Sequence, residues 1–135
     1  MIKNYIIVII FILIIDLIWL LLNSNNYKLL VLNVQKSDLI INPIGALLSY
    51  LTVILALFCF SIPIIKEKIK NNNNLLYLSF IYGGGLGFLM YGIFNSTNLG
   101  IFKNYSPKIA IIDTLWGTIL FTISVYLYFI LEKQK

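Results

Sequence analysis

Ile111-Ile112-Asp113-Thr114-Leu115-Trp116-Gly117 sets a carboxylate and an indole inside an apolar run that is otherwise long enough to cross a membrane. The same Asp-x-x-Trp spacing returns near the other end of the chain, in Ile15-Asp16-Leu17-Ile18-Trp19, within the first apolar run. On a helix, side chains at i and i+3 share a face, so each run presents an acid beside an indole. A charge at bilayer depth costs at least about 2.5 kcal/mol, so both acids are expected to face the protein interior, paired or functional.

The composition around these motifs excludes a soluble domain. At 60% hydrophobic and 11% charged residues, with mean hydropathy +0.93, the chain is far more apolar than the roughly 45–50% apolar and 25% charged of a soluble fold. Its 135 residues accommodate about four spans of roughly 20 residues. The expectation is an all-α polytopic membrane protein, a single domain built as a four-helix antiparallel transmembrane bundle whose immediate partner is the lipid bilayer. The net charge of +5 comes from lysines alone, and these stand at the ends of apolar runs. Without arginine or a basic face, nucleic acid is not a partner. The lone Cys59 can form no internal disulfide, and no cofactor is expected.

Taken in order, the first span is expected over about residues 4–22. It is longer than the core of a secretory signal and lacks its small-residue end, so it reads as a retained helix. The connection from Asn23 to Asn42 mixes leucines with lysine, asparagine and aspartate, too polar to span and too apolar for free water, and is expected to lie at the interface. Asn42-Pro43 opens the second span, about 43–65, with Pro43 in the first turn and Pro63 breaking the last one. Lys66 to Asn74 turns the chain back. The third span, about 75–96, carries Gly83, Gly84, Gly85 and Gly87. Gly83 with Gly87, and Gly92 with Ser96, are small-xxx-small pairs that let helices approach closely, whereas a phosphate-binding loop would need a preceding strand and a lysine. The fourth span covers about 108–131.

Lysine counting orients the chain. Lys3, Lys66, Lys68, Lys70, Lys133 and Lys135 fall on the side of the termini, against Lys28, Lys36, Lys103 and Lys108 on the other, which favours both termini in the cytoplasm. Asp16 then lies about 10 Å below the outer end of the first helix and Asp113 about 8 Å below the start of the fourth. Antiparallel helices bring the two acids to one level near the outer leaflet. Asn42, Tyr50, Tyr91, Asn95, Thr97 and Asn98 belong to helix ends on that same side. Trp19 and Trp116 can stack on a ligand cation or serve as interfacial belt residues.

The Asp16-x-x-Trp19 pair, Tyr27, the Asn42 to Tyr50 opening, and above all Thr97-Asn98-Leu99 running through Lys103-Asn104 to Asp113-x-x-Trp116-Gly117 resemble the domain-of-unknown-function family 2177 of small predicted membrane proteins. The resemblance covers nearly the whole chain and is most specific over residues 91 to 117. The family pattern places Tyr-Asp-Leu-Thr-Asn where this chain has Phe94-Asn95-Ser96-Thr97-Asn98, and Trp where it has Tyr105. Asn95 thus stands where the resemblance implies a third acid. A family site that worked through three carboxylates would here have lost one ligand charge. The family name carries no activity; the resemblance implies the fold and the polar site.

Three function classes compete. The polar cluster suits a transporter or channel-like protein binding a cation, a proton or a small polar solute, because oxygen ligands replace a hard cation's hydration shell; whether a metal is among its ligands the sequence leaves open. Four short helices make a thin pathway, so transport calls for a homo-oligomer. Alternatively the acids are structural, hydrogen-bonded across the bundle in a non-catalytic assembly or regulatory protein. An intramembrane aspartyl-type hydrolase needs two carboxylates sharing a proton, but Asp113 follows Ala110-Ile111-Ile112 rather than the Gly-x-Gly of such enzymes, and histidine is absent.

Overall fold

A computed structural model describes residues 2–69 and 74–133, and among these it is helical without strands. Helix α1 is Ile2–Leu22, α2 is Ser24–Gln35, α3 is Pro43–Lys68, α4 is Leu75–Ile101 and α5 is Pro107–Lys133. All but α2 are long and apolar enough to span a bilayer, and successive spans run antiparallel. Lys70 and Lys135, two of the lysines that orient the chain, fall outside the described residues, as does part of the expected turn between α3 and α4.

Helix α1 shows how little each span buries against protein. Asn4, Val8, Ile12 and Asp16 recur at i+4 and form its single buried stripe. The remaining faces carry exposed Ile6, Ile10, Leu13 and Leu17, and only 17% of its apolar window is buried inside the protein. Such a surface belongs in hydrocarbon. Helix α5 is the central element, packed by α1 and α4, with the middle of α3 behind them. Its buried residues Phe121, Val125, Tyr128 and Phe129 join Val8 and Ile12 of α1 with Leu57, Ile62 and Ile65 of α3 in one apolar core. At the end nearest the termini, Tyr5 lies edge-on to Phe58 at 4.8 Å and beside Tyr128 at 5.1 Å. The Lys66–Glu132 ion pair closes the same end at 2.9 Å.

The glycine edge of α4 meets α5. A Cβ on Gly87 would fall on the backbone carbonyl of Gly117 and within 2.9 Å of Phe121 Cβ, and one on Gly83 would lie 3.0 Å from the Phe121 carbonyl oxygen. Backbones at this separation exclude side chains between them, which is the use of small-xxx-small spacing.

Pro63 does not end α3. The helix continues to Lys68 because Leu57–Ser61 winds as a π turn, with the Ile62 N–H reaching the Leu57 carbonyl, and Pro63 then opens the next α-helical segment. The i→i−5 register takes up the mismatch that a mid-helix proline creates. A second π turn, Ser79–Gly84, sits opposite it in α4. Ser61 Oγ donates to the Tyr82 carbonyl at 2.9 Å across the pair. Helix α4 likewise runs on to Ile101, through Asn95, Thr97 and Asn98, instead of stopping near Ser96.

The connection expected at the interface is a helix for most of its length. Hydrogen bonding barely lapses after α1, since the Asn23 N–H bonds the Trp19 carbonyl at 3.0 Å and the Tyr27 N–H bonds the Asn23 carbonyl at 3.1 Å. Lys36, at φ 60°, ends α2 in the left-handed conformation. The chain then reaches Asn42, whose side chain accepts from the Ile44 and Gly45 N–H groups at 3.0 and 3.2 Å and starts α3.

Candidate functional site

The two Asp-x-x-Trp motifs face each other and exchange partners. Trp116 Nε1, from the motif of Asp113, donates to Asp16 Oδ1 at 2.8 Å, and the Tyr50 hydroxyl donates to Asp16 Oδ2 at 2.8 Å. Trp19 Nε1, from the motif of Asp16, donates to the Tyr27 hydroxyl at 3.1 Å, which donates in turn to Asp113 Oδ1 at 2.6 Å. The two indoles stack with centroids 4.5 Å apart and planes at 3°. The i,i+3 spacing puts acid and indole on one face of each helix. With α1 and α5 packed antiparallel, Trp116 bonds the acid of the other helix directly and Trp19 reaches it through Tyr27.

The second oxygen of Asp113 accepts from Asn95 Nδ2 at 2.9 Å. That amide is fixed from several sides. Tyr105 donates to Asn95 Oδ1 at 2.8 Å, leaving the NH2 to bond Asp113 and the Tyr91 carbonyl, the latter at 2.9 Å, with Thr114 Oγ1 at 3.4 Å. An amide therefore occupies the position where the resemblance implies an acid, and it donates to the remaining carboxylate. Burial first, and then the hydrogen bond and charge of Asp113, push the Tyr27 hydroxyl above its ordinary value, so it remains a donor. Burial likewise pushes Tyr105 up, with Asn98 beside it working in the opposite sense.

Asp16, Trp19, Tyr50, Asn95, Asp113 and Trp116 thus come together in one connected arrangement. Tyr91 stands next to it: its carbonyl takes the Asn95 amide, while its ring lies over Gly117 and edge-on to Phe121. Asn98 lines a cleft beside Tyr105. Asn42 and Thr97 are not brought in; both are exposed, and Asn42 is occupied with capping α3. The polar positions named from sequence omit three that the fold supplies, Tyr27, Tyr105 and Thr114. The first two lie in connections between spans, where neither periodicity nor depth along a span marks a position as facing the cluster.

Access differs between the acids. Asp16 is buried at 8% exposure, whereas Asp113 is half-buried and forms part of a cleft of about 280 Å³ between α2, the end of α4 and the turn after it. Among the described residues no lysine pairs with either carboxylate, and the Lys66–Glu132 pair lies at the opposite end. Nor do three or more Asp, Glu, Cys or His side chains gather there into a metal-binding group. All four carboxylate oxygens accept from neutral groups on other helices, and no hydrogen bond joins the acids to each other among the described residues. A dyad sharing one proton is not assembled.

An all-helical chain with four apolar spans, turned back on itself around a polar cluster at one end, is a multi-pass integral membrane protein. Residues 1–130 match the family model DUF2177, described as a predicted membrane protein, and the chain belongs to that family. No curated protein and no solved structure matches it.

Proposed function

We propose that the protein is a transporter or channel-like protein that binds a small cation at the Asp16–Asp113 cluster, with both termini cytoplasmic and the cluster near the outer leaflet. The observation that carries this reading is the uncompensated charge. Two carboxylates sit within the spans on neutral donors, without a lysine partner among the described residues, and one of them opens to a cleft. Neutral donors offset only part of the cost of placing charge there, and a bound cation or proton supplies the rest. The protein functions as a homo-oligomer, since one protomer of four spans encloses little of a pathway.

The test is flux in proteoliposomes at matched protein incorporation. Asp113→Asn keeps the side-chain shape and removes the charge, so flux of sodium, potassium, protons or a small organic ammonium ion seen with the wild type should vanish while the helical signal persists. Undiminished flux in that variant would overturn the proposal.

A second reading, a non-catalytic assembly protein, draws on a different observation. The network ties all five helices, with α1 bonded to α3 and α5 through Asp16 and α5 bonded to α2 and α4 through Asp113. On that reading the wild type carries no flux, and Asp113→Asn lowers the melting temperature and changes the recovery of partner proteins.

A further inference from the structure

We infer that the cleft above Asp113 binds an organic ammonium ion with an apolar body about the size of one aromatic ring. This rests on the cation-binding reading and assigns its ligand class. The cleft is lined by Asp113 with Tyr27, Tyr105, Gln35 and Asn98, and otherwise by hydrocarbon, chiefly Val31 and Val34 from α2 with Phe94 and Phe102.

Each ligand class makes a different demand on such a cleft. A divalent cation takes six or more oxygen ligands, often from several carboxylates, and no cluster of three acidic, cysteine or histidine side chains exists among the described residues. A hydrated alkali ion gains nothing from valine and phenylalanine walls. A proton needs no cleft. A neutral apolar molecule would fill the walls but leave the carboxylate desolvated and uncompensated. An ammonium head with an apolar body satisfies both surfaces. Asp113 has accepted one donor at each oxygen, and an ionised carboxylate offers about four acceptor positions, so roughly two remain for the head. Phe94 and Phe102 add aromatic surface that attracts cations. A volume of about 280 Å³ lies just under the roughly 300–1,000 Å³ of pockets that take drug-sized ligands, which limits the body to about one ring.

The site carries its own reporter. The chain has two tryptophans, Trp19 and Trp116, stacked within the network that reaches Asp113. The experiment titrates detergent-solubilised full-length protein with phenethylammonium near neutral pH, following tryptophan emission. The controls are 3-phenyl-1-propanol, a neutral molecule of similar size, and potassium chloride at equal ionic strength. A saturable change with phenethylammonium, at least tenfold weaker with either control, is expected. Asp113→Asn should weaken binding at least tenfold, and so should Val31→Phe, which fills the cleft and leaves the carboxylate in place.

Equal affinity for the neutral compound overturns the inference. So does unchanged affinity in Asp113→Asn with the helical signal retained. If that variant does not fold, unchanged affinity in Val31→Phe decides against it. The two proposals fail separately. Asp113-dependent potassium or proton flux without phenethylammonium binding removes the ammonium assignment and leaves transport standing, whereas binding without any flux removes transport and leaves the site.

Discussion

Tyr27→Phe deletes one oxygen, and that oxygen joins α2 to both motifs. It donates to Asp113 at 2.6 Å and accepts from Trp19 at 3.1 Å. A hydrogen bond to a charged acceptor contributes about 1.5–3 kcal/mol in water-soluble proteins, and an indole N–H left without a partner costs about 1 kcal/mol more. Interhelical bonds in membranes average nearer 0.6 kcal/mol, with about 1.7 as the largest. Tyr27 is only half-buried, so water replaces part of what is lost. The expected net loss is about 1–2 kcal/mol, read as a fall of a few degrees in the detergent melting temperature with a shift in tryptophan emission. The pH dependence has a definite sign. Burial and Asp113 hold the Tyr27 hydroxyl above its ordinary value, so its contribution is complete below about pH 10, the unfolded value, and is lost as pH rises further towards the folded one. The difference between wild type and variant should therefore be flat from pH 6 to 9 and shrink in stronger alkali. A variant that melts with the wild type and emits identically would mean that α2 is not docked on Asp113.

The close approach of α4 and α5 makes Gly87→Leu an overpacking substitution, since its side chain would start on the Gly117 backbone; a destabilisation of about 1–3 kcal/mol is expected, and an unchanged melting curve would remove the contact. The facing π turns give a contrasting pair. Ser79 Oγ is buried without a partner among the described residues, so Ser79→Ala should leave the melting temperature unchanged or raise it, whereas Ser61→Ala breaks the bond to the Tyr82 carbonyl and should lower it by about 0.6–1.7 kcal/mol equivalent. Equal effects from both would mean that Ser79 has a partner. Sidedness follows from cysteines placed at Asn104 and Glu67 in a Cys59→Ser background. An impermeant maleimide applied to intact cells should label the first and not the second, and the reverse pattern inverts the topology.

What the chain carries by itself is whatever depends on local spacing and on solvent. Four long apolar runs must lie in hydrocarbon as helices, because only intra-segment hydrogen bonds satisfy their backbone there. The glycines of α4 advertise a close helix contact, and Asp-x-x-Trp fixes acid and indole on one face before any partner is known. The pairing itself needed three dimensions. That Trp116 serves Asp16, and that Trp19 reaches Asp113 only through Tyr27, depends on how α1 and α5 are offset and on α2 folding back over them. Neither enters the periodicity of any one segment. Where the helices end depends on tertiary structure for a related reason. Pro63 and the polar residues 95–98 look like stops locally, but a π turn absorbs the first, and the second stay helical because Asn95 finds an acid and a tyrosine on neighbouring elements. Asn42 and Thr97 show the opposite failure, since they belong to helix ends on the cluster's side of the bundle but do not join it: both are exposed, and Asn42 caps α3. Depth is set by position along a helix, which sequence contains, whereas facing is set by how helices rotate against one another, and that is decided only when the bundle packs.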